Sequence, residues 1–290
     1  MISRRNFIAA ASLAVGTSLV PTAISRASDQ TGSLLLTSYI NGQRIDRTAV
    51  LEWEARRLKV AAARLDQYLP AALTAELGAL LDGSAPSVET VARDREALAD
   101  VKLQLGHDAI RDHFAADLAI SGPMSVLAAA TNQWSASTIQ LTSTRGSAQG
   151  FMDWFNTRIN HNDQRAMLLA NPDHYLITSP RSGAQEVIEV TGGAMLASQF
   201  FIDYTDNTGV PTPRDPLYPV QTTGWARTSD GTKIGAVRHQ LRDNAKGGFT
   251  AQLAVSFPAA LPSWMFTEHQ WHLACEFSNW VTAYIAATQP

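Results

Sequence analysis

The carboxy-terminal segment, residues 247–290, contains no lysine or arginine, and its only acidic residues are Glu268 and Glu276. After Pro262, the stretch from about Ser263 to Ala287 has the pattern of one long helix. A helix with so little charge is typical of a protein interior, because a surface helix carries charged side chains on its solvent face. The rest of the chain is therefore expected to enclose this helix.

Before this helix, short runs rich in Ile, Val, Phe and Tyr are separated by Gly, Pro and Asp, which is the pattern of strands and turns. The sequence predicts six antiparallel strands, at His174–Thr178, Gln185–Thr191, Gln199–Tyr204, Gln221–Arg227, Ile234–Arg242 and Phe249–Phe257. A curved antiparallel sheet that grips a terminal helix, called a helix-grip arrangement, makes a cavity for a ligand. We therefore expect an α+β fold.

Residues 48–122 have a different pattern, in which Ala, Leu, Glu and Arg dominate and apolar residues recur three and four positions apart. This spacing predicts helices, with breaks at Pro70, at Asp82-Gly83 and at Gly106. Residues 124–150 are rich in Ser, Thr, Gln and Ala and predict a connector. We therefore expect a helical region over residues 28–148 and a helix-grip domain over residues 149–290.

Residues 1–27 have the pattern of an export signal. Arg4 and Arg5 precede an uncharged run from Phe7 to Val20, and small residues follow at Ser25 and Ala27. A membrane anchor needs about 20 apolar residues, so this run is too short to span a bilayer. The pattern predicts a twin-arginine signal peptide and a periplasmic or extracellular location.

The charge balance and the cysteine content exclude several classes of function. The formal net charge is −3, so the chain has no strong positive field to hold nucleic acid or an anionic membrane. Cys275 is the single cysteine and cannot form an intramolecular disulfide. We therefore expect neither nucleic acid nor a membrane as a partner, and packing or a metal must stabilise the exported fold.

The terminal helix carries a stripe of possible metal ligands. Successive helical residues lie 100° apart, so His269, His272 and Glu276 share one face. A buried carboxylate must be paired, hydrogen-bonded or bound to a metal, and no lysine or arginine lies nearby in the sequence. Imidazole with carboxylate suits zinc or ferrous iron. Metal binding, hydrogen bonding within the core and a surface stripe all remain open interpretations.

Two further histidines lie on predicted strands. His174 begins the first strand, and alternation places His239 on the inward face with Val237 and Leu241. An inward histidine in a cavity-forming sheet is either a satisfied core residue or a group placed for acid–base chemistry. Both interpretations of His239 remain open.

Three segments resemble the diacetylphloroglucinol hydrolase and phloretin hydrolase family. They are His272-Leu-Ala-Cys-Glu276-Phe-Ser-Asn-Trp, the strand of His239 followed by residues 243–248, and Met152-Asp-Trp-Phe155 leading to Pro172-Asp-His174. Members of that family are zinc enzymes that hydrolyse the carbon–carbon bond between an aromatic polyphenol and its acyl group. The resemblance covers roughly residues 150–287 and implies a helix-grip, Bet v 1-like catalytic domain preceded by a helical region.

The resemblance also implies a set of site residues. The zinc ligands would be His174, Glu189, His272 and Glu276. Glu186 is the alternative to Glu189, which is preferred because it comes directly before the glycine turn in the run Glu189-Val-Thr-Gly-Gly.

The same resemblance also bears on three residues outside the proposed ligand set. His239 matches the acid–base histidine of the family, and the additional His269 would support the ligands from outside the metal shell. The family has histidine where this chain has Asn171. That departure leaves open whether the site is active.

The function implied is a zinc-dependent hydrolysis of a carbon–carbon bond in an acylated polyphenol or a β-diketone-type ketone. The expected partner is this small ketone or polyphenol, and a homodimer is left open. Two alternatives come from other classes of function: a non-catalytic carrier of a small apolar ligand, and a metal-free isomerase or cyclase with His239 as the base. Metal content would separate the first alternative from the enzyme.

Overall fold

The computed structural model describes residues 35–66, 69–82, 87–179 and 183–288. The predicted signal peptide at residues 1–27 lies outside this part of the chain. Within the described residues, no helix combines the length and the apolar character needed to cross a bilayer.

The predicted fold class is confirmed, because the protein is an α+β structure built on one antiparallel sheet. Nine strands form the sheet in the order β2-β1-β3-β9-β8-β7-β6-β5-β4. The strands are β1 Leu36–Ile40, β2 Gln43–Ile45, β3 Trp134–Ser143, β4 His174–Thr178, β5 Gln185–Glu189, β6 Ser198–Asp203, β7 Val220–Arg227, β8 Lys233–Asp243 and β9 Phe249–Pro258.

The six predicted strands correspond to β4 to β9, with small differences at their ends. The largest difference is in β5, which ends at Glu189 because Thr191–Gly193 forms a single 3₁₀ turn. Gly192 has a positive φ of 56° in this turn, and a Cβ atom there would lie 2.6 Å from the carbonyl oxygen of Met265. The turn therefore packs directly against the terminal helix.

The prediction of a connector over residues 124–150 was wrong, because β3 lies within this segment and pairs with both β1 and β9. Its inward residues alternate along the strand and include Ser137, Ile139 and Leu141. The high content of Ser and Thr hid this alternation. Strands β1 to β3 precede the predicted boundary at residue 148 and β4 to β9 follow it, so one sheet contains strands from both predicted regions.

Seven helices are present in the described residues. They are α1 Arg47–Asp66, α2 Ala71–Glu76, α3 Gly78–Leu81, α4 Val91–Ala129, α5 Ala148–Asn160, α6 Gln164–Leu168 and α7 Ser263–Thr288. The predicted break at Gly106 is confirmed, since this residue has φ 75° and ψ 171° within α4. The predicted terminal helix is confirmed as α7, and most of its residues from His269 to Ile285 are buried.

Two hydrophobic clusters form on opposite faces of β4 and β5. On one face, the sheet packs against α5 and α7 through residues such as Ile177, Val187 and Phe277. On the other face, Tyr175 and Ile188 pack with residues of α1 and α4. Strands β4 and β5 are therefore covered on both sides, between the terminal helix and the helical region.

Candidate metal centre

Four side chains converge between the sheet and α7, and we call them the histidine cluster: His174, Glu189, His272 and Glu276. The Nε2 atom of His174 lies 3.1 Å from Nε2 of His272 and 3.3 Å from Oε2 of Glu276. Oε2 of Glu189 lies 3.7 Å from Nε2 of His174 and 3.9 Å from Nε2 of His272. Nε2 of His272 and Oε2 of Glu276 are 3.8 Å apart. All four predicted ligands are thus brought together.

The local structure explains why these side chains meet. His174 and Glu189 are paired residues of the antiparallel strands β4 and β5, while His272 and Glu276 are one turn apart on α7. The pairing of β4 with β5 is irregular between His174 and Leu176. Because of this bulge, His174 and Ile177 both face the cavity, although an odd spacing puts residues of a regular strand on opposite faces.

Neighbouring groups orient two of the four side chains. Nδ1 of His174 lies 3.1 Å from the carbonyl oxygen of Met167. Because a carbonyl only accepts, Nδ1 carries the proton, and Nε2 is directed into the cluster. Oε1 of Glu189 accepts a hydrogen bond of 2.8 Å from the Thr191 hydroxyl, so Oε2 faces the imidazoles. Such outer contacts are typical of metal ligands.

Glu186 lies on the other face of β5 and does not enter the cluster. Its carboxylate accepts hydrogen bonds from Arg111 at 2.9 and 2.7 Å and from Gln199 at 2.7 Å. The hydrogen bonds from Arg111 hold the pKa of Glu186 below its usual value. The structure therefore brings Glu189, and not the alternative Glu186, to the histidine cluster.

Burial dominates the electrostatics of the histidine cluster. It raises the pKa of Glu189 to about 7 and also raises that of Glu276. Burial lowers the pKa of His272 well below its usual value. Burial also acts to lower the pKa of His174, but the Glu276 and Glu189 carboxylates outweigh this effect and raise it. When His174 is protonated on both ring nitrogens, its positive charge lies next to the two carboxylates and neutralises part of their charge.

The donor set fits a metal ion. One donor atom each from His174, Glu189 and His272 lies within 4.8 Å of the other two. Among the described residues, the ion-pair partners of Glu189 and Glu276 are histidines alone. Two buried carboxylates without lysine or arginine are costly unless a cation neutralises them. The buried His–Glu–His group can therefore hold a metal.

Asn171 lies next to the cluster, but its side chain forms hydrogen bonds with backbone groups. Its Nδ2 atom donates to the carbonyl oxygen of His272 at 3.3 Å, and its Oδ1 atom accepts from the amide of Asp173 at 2.9 Å. Asn171 is fully buried, and these two contacts use both ends of its amide group. The residue thus links the segment before β4 to α7.

A cavity of about 170 Å³ opens onto the histidine cluster. Its walls are mainly apolar side chains from β4 to β9 and from α7. They include Ile177, Val187, Phe200, Ile202, Val237, Val255, Phe257, Phe277 and Trp280. The site is therefore a set of ionisable groups in the wall of an apolar pocket, which is the usual composition of a small-molecule site.

Two further imidazoles, those of His239 and His269, line this cavity. The inward position of His239 agrees with the alternation of its strand, and His269 lies on the same face of α7 as His272. Burial lowers the pKa of each to about 3, so both are neutral at pH 7. The ring of His239 meets the Phe277 ring edge-on at 4.7 Å, and that of His269 stacks on His272 at 5.1 Å. Neither Nδ1 atom has a hydrogen-bond partner among the described residues.

The sequence analysis missed one polar pair in the cavity wall. The hydroxyl of Tyr204 donates to Oε1 of Gln185 at 3.2 Å, and both residues line the cavity. Gln185 lies on the same face of β5 as Glu189, because the two residues are four positions apart and side chains of a strand alternate between its faces. The alternation of side chains along β5, counted from Glu189, could therefore have predicted that Gln185 lines the cavity.

Fold and site together define an α+β protein in which the sheet grips the terminal helix and a buried His–Glu–His group can hold a metal. No known family profile matches the chain, and no curated protein matches it. Among solved structures it is similar to the crystal structure of Ara h 8.0201, with 15% identity and a TM-score of 0.34. That similarity covers 54% of this chain and 100% of the other. Membership of the diacetylphloroglucinol and phloretin hydrolase family stays a prediction from the motifs.

Proposed function

We propose that the protein is a zinc-dependent hydrolase that cleaves a carbon–carbon bond in an acylated polyphenol or a β-diketone-type ketone. The observation that carries this proposal is the histidine cluster, in which two imidazoles and two carboxylates meet in the wall of an apolar cavity. In the part of the chain that the structure describes, no lysine or arginine forms an ion pair with these two carboxylates. Zinc accepts nitrogen and carboxylate oxygen ligands, and such sites in enzymes keep one position open.

His174, Glu189 and His272 would hold the ion, with Glu276 as the fourth ligand. When bound, zinc supplies a Lewis acid that polarises a ketone carbonyl and activates water as a nucleophile. The carbonyl of Met167 and the hydroxyl of Thr191 keep His174 and Glu189 directed toward this point.

His239 is proposed to carry the proton. Its ring lines the cavity and its Nδ1 atom has no hydrogen-bond partner among the described residues, so it can take a proton from the attacking water and deliver it to the carbon that leaves. The acyl carbon gains the hydroxyl group, the carbon–carbon bond breaks, and the leaving carbon gains the proton, which balances the hydrolysis. The leaving carbon must be stabilised as an enol, as a β-diketone or a phloroglucinol ring in its keto form allows.

The alternatives differ from this proposal in their use of metal. The apolar walls of the cavity suit a non-catalytic carrier of a small apolar ligand. The neutral His239 suits a metal-free isomerase or cyclase. Neither alternative gives a function to the four converging side chains of the histidine cluster, whose two carboxylates have only histidines as ion-pair partners among the described residues.

The test combines metal analysis with two assays. The purified mature protein is expected to contain about one zinc per chain and to release a carboxylic acid from acylphloroglucinols or simple β-diketones. An exposed histidine, His161, provides the matched control, since His161→Gln should keep both properties. Zinc-loaded protein that releases no acid from either substrate class would exclude carbon–carbon hydrolysis. Protein that binds apolar ligands but no zinc would support the carrier.

We further propose export by the twin-arginine route, with cleavage near Ala27. This proposal depends on the arginine pair and the short apolar run of the sequence. Replacing Arg4 and Arg5 by lysine should keep the precursor inside the cell, which fractionation would detect. Unchanged export of that variant would contradict the proposal. Whether the chain forms a homodimer stays open, and sedimentation of the purified protein would test it.

A further inference from the structure

Residues 169–174 lead from the end of α6 into β4 and bring His174 to the histidine cluster. The side chains of Asn171, Asp173 and His174 are buried. Asn171 ties this segment to α7 through the carbonyl oxygen of His272, as described above. The path of these few residues therefore determines where the His174 imidazole enters the cluster.

Two cations from the helical region reach this segment. Lys102 on α4 donates from Nζ to the carbonyl oxygens of Pro172 at 2.7 Å and of His174 at 2.6 Å. Arg57 on α1 forms two hydrogen bonds to the carboxylate of Asp173, at 2.8 and 2.6 Å. The segment is thus held at three consecutive residues by side chains that are distant in the sequence.

Because Lys102 is buried, its two hydrogen bonds restrict the positions of the carbonyl groups that accept them. The residue is only 2% exposed, and Nζ also lies over the Tyr175 ring, 4.8 Å from the ring centre. Burial lowers the pKa of Lys102 to about 7. In either protonation state a buried amino group is costly unless its donors are satisfied. The carbonyls of Pro172 and His174 are therefore confined to positions that Nζ can reach.

We infer that Lys102 is a positioning residue for the metal site, because its Nζ atom holds the carbonyls on either side of Asp173 and so orients His174. This inference rests on the metal site of the proposed function. Lys102 lies on the helical-region side of β4, opposite the cluster, so it acts through the backbone of the ligand and does not contact the metal.

The test measures zinc affinity in matched variants. Lys102→Met removes the donors and keeps the length of the side chain, whereas Lys102→Gln keeps one amide donor. Arg111→Met is the control, because Arg111 lies on the same helix and binds the adjacent strand at Glu186, away from the cluster. Zinc affinity is measured by competition with a chelator, the ligand field by the absorption spectrum of the Co²⁺ form, and folding by circular dichroism.

Lys102→Met is expected to weaken zinc binding by about 10 to 100-fold, which is typical of changes outside the ligand shell, and to alter the Co²⁺ spectrum. Lys102→Gln should recover part of the affinity, and Arg111→Met should keep all of it. A folded Lys102→Met with wild-type affinity and spectrum would overturn the inference.

If Lys102→Met does not fold, Lys102→Gln decides the question by the same two measurements. Equal losses in Lys102→Gln and Arg111→Met would indicate general destabilisation and would also overturn the inference. A wild-type protein without zinc affinity would instead overturn the proposed function, together with this consequence of it.

Discussion

Two clusters of buried charge contact the terminal helix less than two turns apart, and they are neutralised differently. In the arginine-paired cluster, formed by Arg47, Glu54, Arg95 and Asn279, the Glu54 carboxylate accepts hydrogen bonds of 2.5 and 3.0 Å from Arg95. Asn279 joins this cluster by donating to Glu54 at 3.2 Å and by accepting from Arg47. In the histidine cluster, Glu189 and Glu276 face imidazoles instead.

The difference separates a structural site from one suited to bind a cation. A guanidinium stays protonated at any ordinary pH, so Glu54 is neutralised permanently. An imidazole neutralises a carboxylate only while it carries a proton, and burial keeps His272 neutral. In the histidine cluster only a proton on His174, whose pKa the two carboxylates raise, can neutralise them, and a metal ion can replace this proton. The arginine-paired cluster has no proton that a metal could replace.

The largest expected effect comes from removing a ligand. His272→Ala should lose most of the bound zinc and the associated activity, because ligand loss exceeds the 10 to 100-fold typical of outer-shell changes. Elemental analysis of the purified variant checks this, with circular dichroism as the measure of folding. Full zinc occupancy in His272→Ala and in Glu276→Ala would show that the histidine cluster does not hold the metal, and would contradict the difference between the two clusters.

A second large effect is expected at His239, which shares the cavity but belongs to neither cluster. His239→Gln should keep zinc and fold while turnover falls by about 10² to 10⁴, the usual contribution of a positioned acid or base. Kinetics of acid release and metal analysis on the same preparation measure both properties. Loss of zinc in this variant would mean that His239 is a ligand and that His174 or Glu189 is not.

The arginine-paired cluster should respond in stability and not in metal content. Arg95→Met leaves Glu54 buried without its guanidinium, which typically costs about 3 to 5 kcal/mol of unfolding free energy. Urea unfolding of the metal-free protein measures this cost, and the folded fraction should bind zinc as the wild type does. A folded variant with greatly reduced zinc affinity would show that the two clusters are coupled.

The smallest effect concerns pH. Because burial raises the pKa of Glu189 to about 7, this carboxyl is protonated below that pH in the metal-free protein and zinc must displace the proton. The pKa of His174 is raised as well, so zinc must also displace a proton there. Apparent zinc affinity should therefore fall as the pH decreases below 7, by about tenfold per unit for each displaced proton. Calorimetric titrations at several pH values test this, and a constant affinity from pH 5.5 to 8 would contradict it.

The extent to which sequence predicts this site varies between its residues. Helical spacing predicted that His272 and Glu276 share one face, and strand alternation predicted that His239 points inward. The choice between Glu189 and Glu186 depended on the family resemblance, although alternation in β5 also separates them. Lys102 and Arg57 were missed, because nothing local marks a helical cation as the partner of a carbonyl or carboxylate more than 60 residues away.

The sequence by itself determined the buried terminal helix, the six strands before it and the stripe of ligating side chains, because these features depend on hydrophobic period and on charge within a short window. Only the tertiary structure decided that β3 joins the sheet, that His174 meets Glu189 and His272, and that the helical region holds the His174 segment. These outcomes depend on strand pairing and on contacts between distant segments, whose free energy is shared among many residues and leaves no local pattern.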